Sequence, residues 1–554
     1  RLFREFSIVV SGSVIISSFA ALTFTPMLAT KLLIKREQQS WFYRKTEPFF
    51  EGMNRVYSQS LAAFLKQRWI ALPFTIVTIL LIGVLWNTIP AEMAPLEDRS
   101  QISINTMGAE GVTYEYIRDY TEDINHLVDS IIPDAEAVTA RVSSGSGNVR
   151  ITLKDMKDRD YTQMEVAEKL SKAVQKKTMA RSFVQQSSSF GGRRGGMPVQ
   201  YVLQATNIEK LQEVLPKFMT KVYENPVFQM ADVNLKFSKP EARININRDK
   251  ASIMGVSTKN IAQTLQYGLS GQRMGYFYMN GKQYEILGEI NRQQRNKPAD
   301  LKGIYIRSDN GNMVQLDNLI ELTGGIAPPK LYRYNRFVSA TISAGLADGK
   351  TIGQGLDEMD KIAKETLDET FRTALTGDSK EYRESSSSLM FAFILAIVLI
   401  YLILAAQFES FKDPLIIMLT VPLAIAGALV FMYFGDITMN IFSQIGIIML
   451  IGLVAKNGIL IVEFANQKQE AGEDKMRAIK DASLQRLRPI LMTSASTILG
   501  LIPLAYATGE GCNQRIAMGT AVVGGMLIST LLTMYIVPAI YSYVSTNRSK
   551  LKTE

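Results

Sequence analysis

The stretch IGIIMLIGLVAKNGILIVEFA, residues 445–465, decides the class of this protein. It is about as long as a helix that crosses a lipid bilayer, yet Lys456 lies near its middle. A lysine at that depth costs roughly 3 kcal/mol on insertion scales, so it needs a partner or a water-filled path. Glu463 lies two turns along the same helix, about 10 Å away, and the other apolar stretches have no mid-span Asp or Glu. The sequence therefore predicts an ion-coupled membrane protein whose counter-charge lies outside these 554 residues.

Further apolar stretches predict a polytopic α-helical membrane protein. Seven membrane helices are predicted, at about 6–30, 69–89, 388–406, 414–434, 441–466, 489–508 and 516–543. Lysines and arginines concentrate in the connection after the first helix, in the connection before the sixth and in the tail, which predicts that these are cytoplasmic. The polar block at 91–384 falls on the opposite side and is expected to be exported. The amphipathic stretch 46–66 is expected to lie along the inner membrane surface.

The polar block has an α+β pattern. Strands are predicted at 101–107, 148–155, 198–206, 233–238 and 336–345, and helices at 113–130, 162–177, 208–223 and 351–368. This alternation indicates repeated βαβ subdomains. Residues 240–330 interrupt it and indicate an inserted module with turns at Asn280-Gly281, in a hairpin, and at Asn310-Gly311. Ser and Gly in 181–198 predict a loop.

The first and last membrane helices are similar to each other. Residues 9–26 align without gaps to 521–538, and Gly12, Ser17 and Pro26 recur among the identities. The alternative is chance similarity between apolar helices. If the similarity is a repeat, the chain holds one full half of a two-half protein and only the last helix of the other half.

The composition argues against several other classes. Cys512 is the only cysteine, which excludes an internal disulfide and a thiolate metal cluster. His126 is the only histidine, which argues against a His-based metal site or a Ser-His triad. No GxxxxGK[ST] motif is present, so ATP is not the expected energy source. The net charge of +9 fits basic cytoplasmic loops, and no basic stretch interleaved with aromatics indicates nucleic-acid binding. We expect no cofactor, no metal ion and no enzymatic activity.

Four stretches carry a resemblance to a known family. They are AAQFESFKDPLIIMLTVPLAIAGAL (405–429), IGLVAKNGILIVEFAN (451–466), RLRPILMTSASTILGLIPLA (486–505) and MGTAVVGGM (518–526). Together they resemble the resistance-nodulation-division (RND) superfamily, in its hydrophobe/amphiphile efflux branch. The resemblance covers essentially the whole chain, as the second half of such a pump plus the last helix of its first half.

The resemblance implies a drug/amphiphile:proton antiporter driven by the proton-motive force, as in multidrug efflux and antibiotic resistance. It implies the inner membrane of a Gram-negative bacterium, a homotrimer, a periplasmic adaptor protein and an outer-membrane channel protein as partners. The implied domains are a last helix of the first half (1–34), a cytoplasmic connection (35–68), a first helix of the second half (69–90), a first periplasmic porter subdomain (91–197), a second porter subdomain (198–239 and 331–384), a docking subdomain (240–330), five membrane helices (385–545) and a cytoplasmic tail (546–554).

The resemblance also assigns a proton relay. In this family an aspartate pair on a helix of the first half faces the lysine of the AKN motif, which here is Lys456. The missing half is therefore expected to carry the acidic partners of Lys456. The resemblance adds Thr493, at membrane depth, and Arg486, at the cytoplasmic mouth, while Asn457 is expected to hydrogen-bond across helices. The alternatives are a Thr493 hydroxyl that bonds its own backbone and an Arg486 that only anchors the cytoplasmic side.

The expected substrate pocket departs from the phenylalanine-rich pocket of the family. The corresponding stretch 135–151 contains no aromatic residue, and the following stretch 181–198 combines aromatics with arginines. The candidate substrate-binding residues are Val138, Arg141, Val142, Phe183, Phe190 and Arg193. This composition is compatible with anionic amphiphiles such as bile salts or fatty acids, whereas solvated loop arginines are the alternative.

Other interpretations stay open. A heavy-metal RND exporter would need converging methionines, and Met107, Met164 and Met197 are far apart in sequence. A non-transporting membrane scaffold or export accessory protein of the same topology, or a channel or receptor, would not need the mid-membrane charge of Lys456. Lys456 is also open to a structural interpretation, in which its ammonium snorkels to the membrane surface.

Overall fold

The computed structural model describes residues 2–32, 41–186, 197–326, 330–347 and 349–546. Three long helices come first: α1 (Leu2–Leu32), α2 (Trp41–Lys66) and α3 (Ala71–Thr88). The described side chains of α1 are almost all exposed. Helix α2 instead buries Tyr57 and Leu61 in one apolar cluster with Ile479 and Tyr541, far along the chain. The amphipathic stretch therefore uses its apolar face for packing within the protein.

The polar block that follows contains strands and shorter helices. In chain order these are β1 (Gln101–Met107), α4 (Tyr114–Ile131), β2 (Ala137–Ser143), β3 (Ser146–Thr152), α5 (Gln163–Val174), β4 (Arg181–Gln186), β5 (Val199–Ala205), α6 (Ile208–Glu224), β6 (Phe228–Val233), β7 (Pro240–Ile246), α7 (Arg248–Ile253), α8 (Thr258–Leu269), β8 (Gln272–Met279), β9 (Lys282–Gly288), β10 (Tyr305–Arg307), β11 (Met313–Gln315), β12 (Ile320–Ile326), β13 (Arg333–Tyr334), β14 (Phe337–Leu346), α9 (Ile352–Thr366) and β15 (Arg372–Leu375).

Six helices complete the described chain. They are α10 (Gly377–Phe408), α11 (Lys412–Met418), α12 (Thr420–Phe434), α13 (Ile441–Glu470), α14 (Lys475–Ala505) and α15 (Cys512–Val544). Seven segments in the described residues are long and apolar enough to cross a membrane: Ile8–Lys31, Arg68–Thr88, Gly377–Phe408, Lys412–Phe434, Ile441–Glu470, Lys475–Ala505 and Cys512–Val544. The sixth starts well before its predicted bound near 489, because Asp474 caps α14 by accepting a hydrogen bond from the Met476 amide.

The first part of the polar block is a four-stranded sheet with two helices on one face. Its strand order is β2-β3-β1-β4, and every neighbouring pair is antiparallel. Because side chains alternate along a strand, Ile102 and Ile104 point to the same face, where they share a buried cluster with Ile124 of α4 and Leu170 of α5. The other face of the sheet carries no helix of this unit.

The second part repeats the same topology in space. The series β5-α6-β6-β14-α9-β15 matches β1-α4-β2-β3-α5-β4, and its strands lie in the order β6-β14-β5-β15. Both units are split βαβ units, in which the strands joined by the first helix are separated by a third strand. The elements β7 to β12 form an insertion between β6 and β14.

Several predictions for the polar block need correction. The helix-linked strands of each βαβ unit are not adjacent, because an antiparallel strand lies between them. The strand predicted at 233–238 lies at Phe228–Val233 instead, because pairing with β14 selects that register over the local alternation. The loop predicted at 181–198 begins with strand β4, and residues 187–196 lie outside the described residues.

The hairpin of the insertion confirms its predicted turn. Strands β8 and β9 pair antiparallel across Asn280-Gly281, with φ values of 52° and 72°. Two consecutive positive φ angles define the tight turn that Asn-Gly favours. The second predicted turn is also present, since Gly311 has φ 85° and its amide donates to the Ser308 carbonyl at 2.9 Å.

Helix α15 packs closely against α12, α13 and α14 through glycines. A Cβ added at Gly519 would lie 2.5 Å from the Ala505 backbone nitrogen, and one at Gly525 would lie 2.2 Å from Cδ2 of Leu450. Small residues are the usual means by which membrane helices approach this closely. The bundle therefore depends on these two positions having no side chain.

Gly519→Ala is expected to destabilise the bundle by about 1–3 kcal/mol, because its methyl group would meet backbone that moves only with α14. Gly500→Ala is the matched control, since no described atom lies within 4 Å of a Cβ there. Thermal unfolding in detergent measures both variants. Equal unfolding temperatures for the two would contradict the packing argument.

Candidate functional site

Lys456 lies on α13 and its side chain contacts α14. The Lys456 Nζ donates a 3.4 Å hydrogen bond to Oγ1 of Thr497, whose hydroxyl donates to the Thr493 carbonyl at 2.8 Å. No ion pair in the described part of the chain includes Lys456. Glu463, the acid closest to it along α13, accepts instead from Nε2 of Gln467 at 3.0 Å. The described residues therefore give the ammonium a neutral hydroxyl partner and no counter-charge.

Asn457 anchors a fully buried polar cluster beside the lysine. Its Nδ2 lies 3.3 Å from Oγ of Ser494 on α14 and 3.4 Å from Oγ1 of Thr530 on α15. The Thr530 hydroxyl donates to Ser494 at 3.2 Å, while Oδ1 of Asn457 has no partner among the described residues. This confirms the predicted bond across helices. The cluster joins α13, α14 and α15 directly behind Lys456.

Among the described residues, neither Thr493 nor Arg486 forms a hydrogen bond with the Lys456 side chain. The Thr493 hydroxyl donates to the Ile490 carbonyl at 3.1 Å, which is the backbone bond that the sequence left as an alternative. The Arg486 guanidinium lies 4.4 Å from the ring centroid of Phe464, and its buried Nε has no described hydrogen-bond partner. Phe464 is eight residues beyond Lys456, about 12 Å along the helix axis. Arg486 therefore occupies a separate site nearer the end of α13.

The face of α13 that carries Lys456 is incompletely covered. Residues at helical spacing along this face are all partly or fully exposed in the described structure: Met449, Gly452, Lys456, Ile459 and Glu463. A Cβ added at Gly452 would meet nothing among the described residues within 4 Å. The opposite residues of the helix are buried. Lys456 thus lies on an open seam, defined here as these five residues, rather than inside the bundle.

Sequence reasoning missed Ser494, Thr497 and Thr530. Each is a small hydroxyl residue in an apolar helix, and such residues more often bond their own backbone than a neighbouring helix. The run TSAST at 493–497 was the available signal. Ser494 and Thr497, rather than Thr493, hydrogen-bond to α13 because of the rotation of α14 about its axis. That rotation is set by packing between helices and cannot be read from the local sequence.

Residues 90–97, the junction segment, link the polar block to the membrane helices. The Met439 amide donates to the Pro90 carbonyl at 2.8 Å, and the Glu92 amide donates to the Met439 carbonyl at 3.0 Å. The Gln514 amide donates to Oε1 of the buried Glu97 at 2.9 Å. Met439 lies two residues before α13, next to its N-cap Asn440, and Gln514 lies in the first turn of α15. The junction segment therefore holds the ends of both helices.

A second set of contacts ties the same segment to the polar block. The Gly353 amide at the start of α9 donates to the Ala91 carbonyl at 3.3 Å. The Thr438 hydroxyl donates to the carboxyl of Glu92. Burial raises the pKa of Glu92 above its usual value, and the Thr438 hydrogen bond acts in the opposite direction. A displacement of α13 would therefore be transmitted through the junction segment to the start of α9.

The candidate substrate residues fall into two groups. Val138 and Val142 lie on the helix-covered face of edge strand β2, while Arg141 points to the other face. Phe183 lies on β4, the opposite edge, in the same cross-strand row as Arg141. Three strand spacings separate these two, about 14 Å. Phe190 and Arg193 lie outside the described residues.

An amide ladder crosses β3, β1 and β4 on the helix-free face of the first sheet. Nδ2 of Asn148 donates to Oδ1 of Asn105 at 2.8 Å, and Nδ2 of Asn105 donates to Oε1 of Gln185 at 2.9 Å. The exposed Arg141 and Arg150 flank this ladder. The face therefore offers hydrogen-bond donors and positive charge together.

A cleft of 560 Å³ lies between the two split βαβ units. Its lining combines cationic, aromatic and aliphatic side chains, including Lys177, Arg181, Phe183, Val184, Tyr223 and Met230. Arg181 bridges the units, since its Nη1 lies 3.2 Å from the Tyr223 hydroxyl and 3.9 Å from Oδ1 of Asp232. Of the predicted substrate residues that are described, Phe183 is the one that lines this cleft. No group of three or more His, Cys, Asp or Glu side chains converges in the described residues.

Comparison with known proteins shows the family to which the chain belongs. The AcrB/AcrD/AcrF family model matches residues 1–545. An uncharacterized transporter of Haemophilus influenzae is 30% identical over 560 residues, which cover 99% of this chain and 54% of that relative. The chain thus spans about half the length of the relative. The chain belongs to the AcrB/AcrD/AcrF family of RND transporters.

Proposed function

We propose that this chain is the Lys456-bearing half of a proton-driven exporter of amphiphilic molecules. The placement of Lys456 carries the proposal: it lies in mid-helix, on the open seam, beside a hydroxyl and without a described carboxylate. A membrane lysine requires a counter-charge or water. Because the matched relative is about twice as long, a second half with acidic partners is the source of counter-charge that fits best.

The proposed chemistry is an exchange of partners by the Lys456 ammonium. Ionised carboxylates of the missing half hold the ammonium across the open seam. Protonation of those carboxylates removes the attraction, and the Thr497 hydroxyl offers a neutral partner 3.4 Å away. The ionised and the protonated carboxylates thus favour two different positions of the Lys456 ammonium. Following the family resemblance, Thr493 and Arg486 are proposed as further members of the proton relay, with Arg486 at the cytoplasmic exit.

The proposed coupling runs through α13. The Asn457 cluster makes α13, α14 and α15 move together, so a displacement at Lys456 is not absorbed within this half. The junction segment bonds the end of α13 to Pro90 and Glu92, and Ala91 bonds the start of α9. Proton binding at mid-membrane would thereby change the relative position of the two split βαβ units.

The cleft between those units is the proposed substrate site. Phe183, Val184 and Met230 supply apolar contacts, while Lys177 and Arg181 supply positive charge. Such a lining fits an anionic amphiphile better than a neutral hydrocarbon, because Lys177 forms no ion pair within the described residues and Arg181 has only the 3.9 Å ion pair with Asp232. Arg141 and the amide ladder extend the same chemistry across the first sheet. Bile salts and fatty acids belong to this class.

The insertion β7–β12 is proposed as a docking surface in the periplasm. The hairpin β8–β9 exposes apolar side chains on both faces, among them Met274, Tyr276, Tyr278, Ile286 and Leu287. Exposed apolar patches of this kind mark interaction sites. We propose that the protein is a homotrimer in the inner membrane, and that this surface contacts a periplasmic adaptor or an outer-membrane channel.

Lys456→Met in the complete two-half protein is expected to reduce proton-coupled export to background, because a thioether cannot exchange between charged and neutral partners. Lys468→Met is the matched control, since Lys468 is on the same helix but pairs with Glu473 at 2.9 Å. Substrate flux driven by a pH gradient in proteoliposomes measures both. Normal coupled flux with Lys456→Met would refute the proposal, and so would an equal loss with Lys468→Met.

Phe183→Ala is expected to weaken apparent affinity for a bile salt by about tenfold, because one aromatic contact contributes about 1.5 kcal/mol or more. Phe337→Ala is the control, since Phe337 is also on a strand but packs against Arg372 outside the cleft. The half-maximal concentration for transport measures the effect. Unchanged affinity for Phe183→Ala would remove the cleft from the substrate path.

A cysteine at the hairpin tip tests the docking surface. In a Cys512→Ser background, Tyr278→Cys is expected to crosslink to an adaptor, a channel or a second copy, because Tyr278 is 76% exposed on the β8–β9 hairpin. Ile253→Cys is the control within the same insertion, at 85% exposure. Equal crosslinking from both positions, or none from position 278, would count against a specific docking surface there.

A further inference from the structure

A groove between α2 and α14 has an apolar floor and a cationic rim. It has a volume of 390 Å³ and is lined by Ala62, Leu65, Lys66, Met476, Arg477 and Lys480. Lys66 is the last residue of α2, and Met476 to Lys480 form the first turns of α14. The groove therefore lies where two helices end or begin, on the side of the molecule with the basic connections.

The three cations of the groove are not neutralised. Lys66, Arg477 and Lys480 form no ion pair with any carboxylate of the described residues, although other basic residues on this side do. Arg488 pairs with Glu47 at 3.4 Å and Lys468 with Glu473 at 2.9 Å. Three like charges around one apolar depression repel one another unless an anion lies among them.

The groove adjoins a membrane-spanning segment. Arg68, the first residue of the span Arg68–Thr88, donates from Nη1 to Sδ of Met476 at 3.8 Å and so borders the groove. Trp69 follows it with 64% of its surface exposed. Exposed Leu72 and Ile76 continue along α3 at helical spacing. Tryptophan beside basic residues is typical of the headgroup level of a bilayer, and the exposed apolar residues beyond it face hydrocarbon.

We propose that this groove binds an anionic glycerophospholipid, with its phosphate among Lys66, Arg477 and Lys480 and its acyl chains along α3. Charge complementarity selects the anionic headgroup, since the rim has three cations and no acid. The apolar floor and the neighbouring Leu72 and Ile76 select a molecule that also has hydrocarbon chains. A free phosphate ion would use only the first feature. This site is independent of the Lys456 chemistry and would serve as a lipid contact in any function of the protein.

Lipid-dependent thermal stability tests the proposal on the purified complete protein. Phosphatidylglycerol and cardiolipin are expected to raise the unfolding temperature relative to phosphatidylcholine, and less so at high salt. Arg477→Gln is expected to weaken phosphatidylglycerol binding by about fivefold, which corresponds to about 1 kcal/mol per basic residue. Native mass spectrometry of the lipid-bound species measures the affinity.

Lys412→Gln is the matched control, because Lys412 is an exposed lysine near a helix start that does not line the groove. Its lipid affinity is expected to equal that of the unsubstituted protein. Both variants must unfold at the unsubstituted temperature in phosphatidylcholine, and if Arg477→Gln does not, Lys66→Gln replaces it. Equal stabilisation by all three lipids would overturn the proposal. The same stabilisation by inorganic phosphate, or by an acidic peptide, would overturn the assignment to a phospholipid.

Discussion

The need to compensate one lysine charge within the membrane governs this structure. Lys456 lies in the middle of a helix long enough to cross a bilayer, and the described residues offer it only the hydroxyl of Thr497. A hydroxyl dipole compensates an ammonium far less than a carboxylate does at the same distance. Under the proposed function, the open seam of α13 is the surface that would receive the counter-charge from the missing half.

Behind that seam the helices are held together by buried hydrogen bonds and by close packing at glycines. Asn457 bonds to Ser494 and Thr530, and Gly519 and Gly525 let α15 approach its neighbours to backbone contact. A charge that moves between partners does mechanical work only if its helix is rigidly connected to others. The junction segment at 90–97 supplies the next connection, since its backbone and side-chain hydrogen bonds reach α13, α15 and α9.

The alternation of strands and helices along the sequence indicates a repeated architecture in the polar block, but the split order of the strands in each unit is a feature of the tertiary structure. Because the two units have the same topology, their sheets have equivalent edge strands. The cleft lined by Phe183 and Arg181 lies where one unit meets the other. A site built between two bodies changes shape when their relative position changes, whereas a site inside one unit does not. The insertion β7–β12 interrupts the second unit without disturbing its sheet, because it enters and leaves between two neighbouring strands, β6 and β14.

The sequence by itself determined the features that depend on local composition: the seven apolar segments, the isolated charge of Lys456, strand β1, the Asn280-Gly281 turn and the family motifs. These signals are carried by the residues themselves, through hydrophobicity, charge and backbone preference. Only the tertiary structure decided which strands are neighbours, where the edge strands β2 and β4 run, and that Thr497 rather than Thr493 reaches Lys456. The short alternation of β2 and the mostly polar sequence of β4 are weak strand signals beside the apolar alternation of β1. The rotation of one helix against another is set by packing between residues far apart in sequence. The same reason separates Arg486 from Lys456: a motif places residues along the chain, but the helix geometry places them in space.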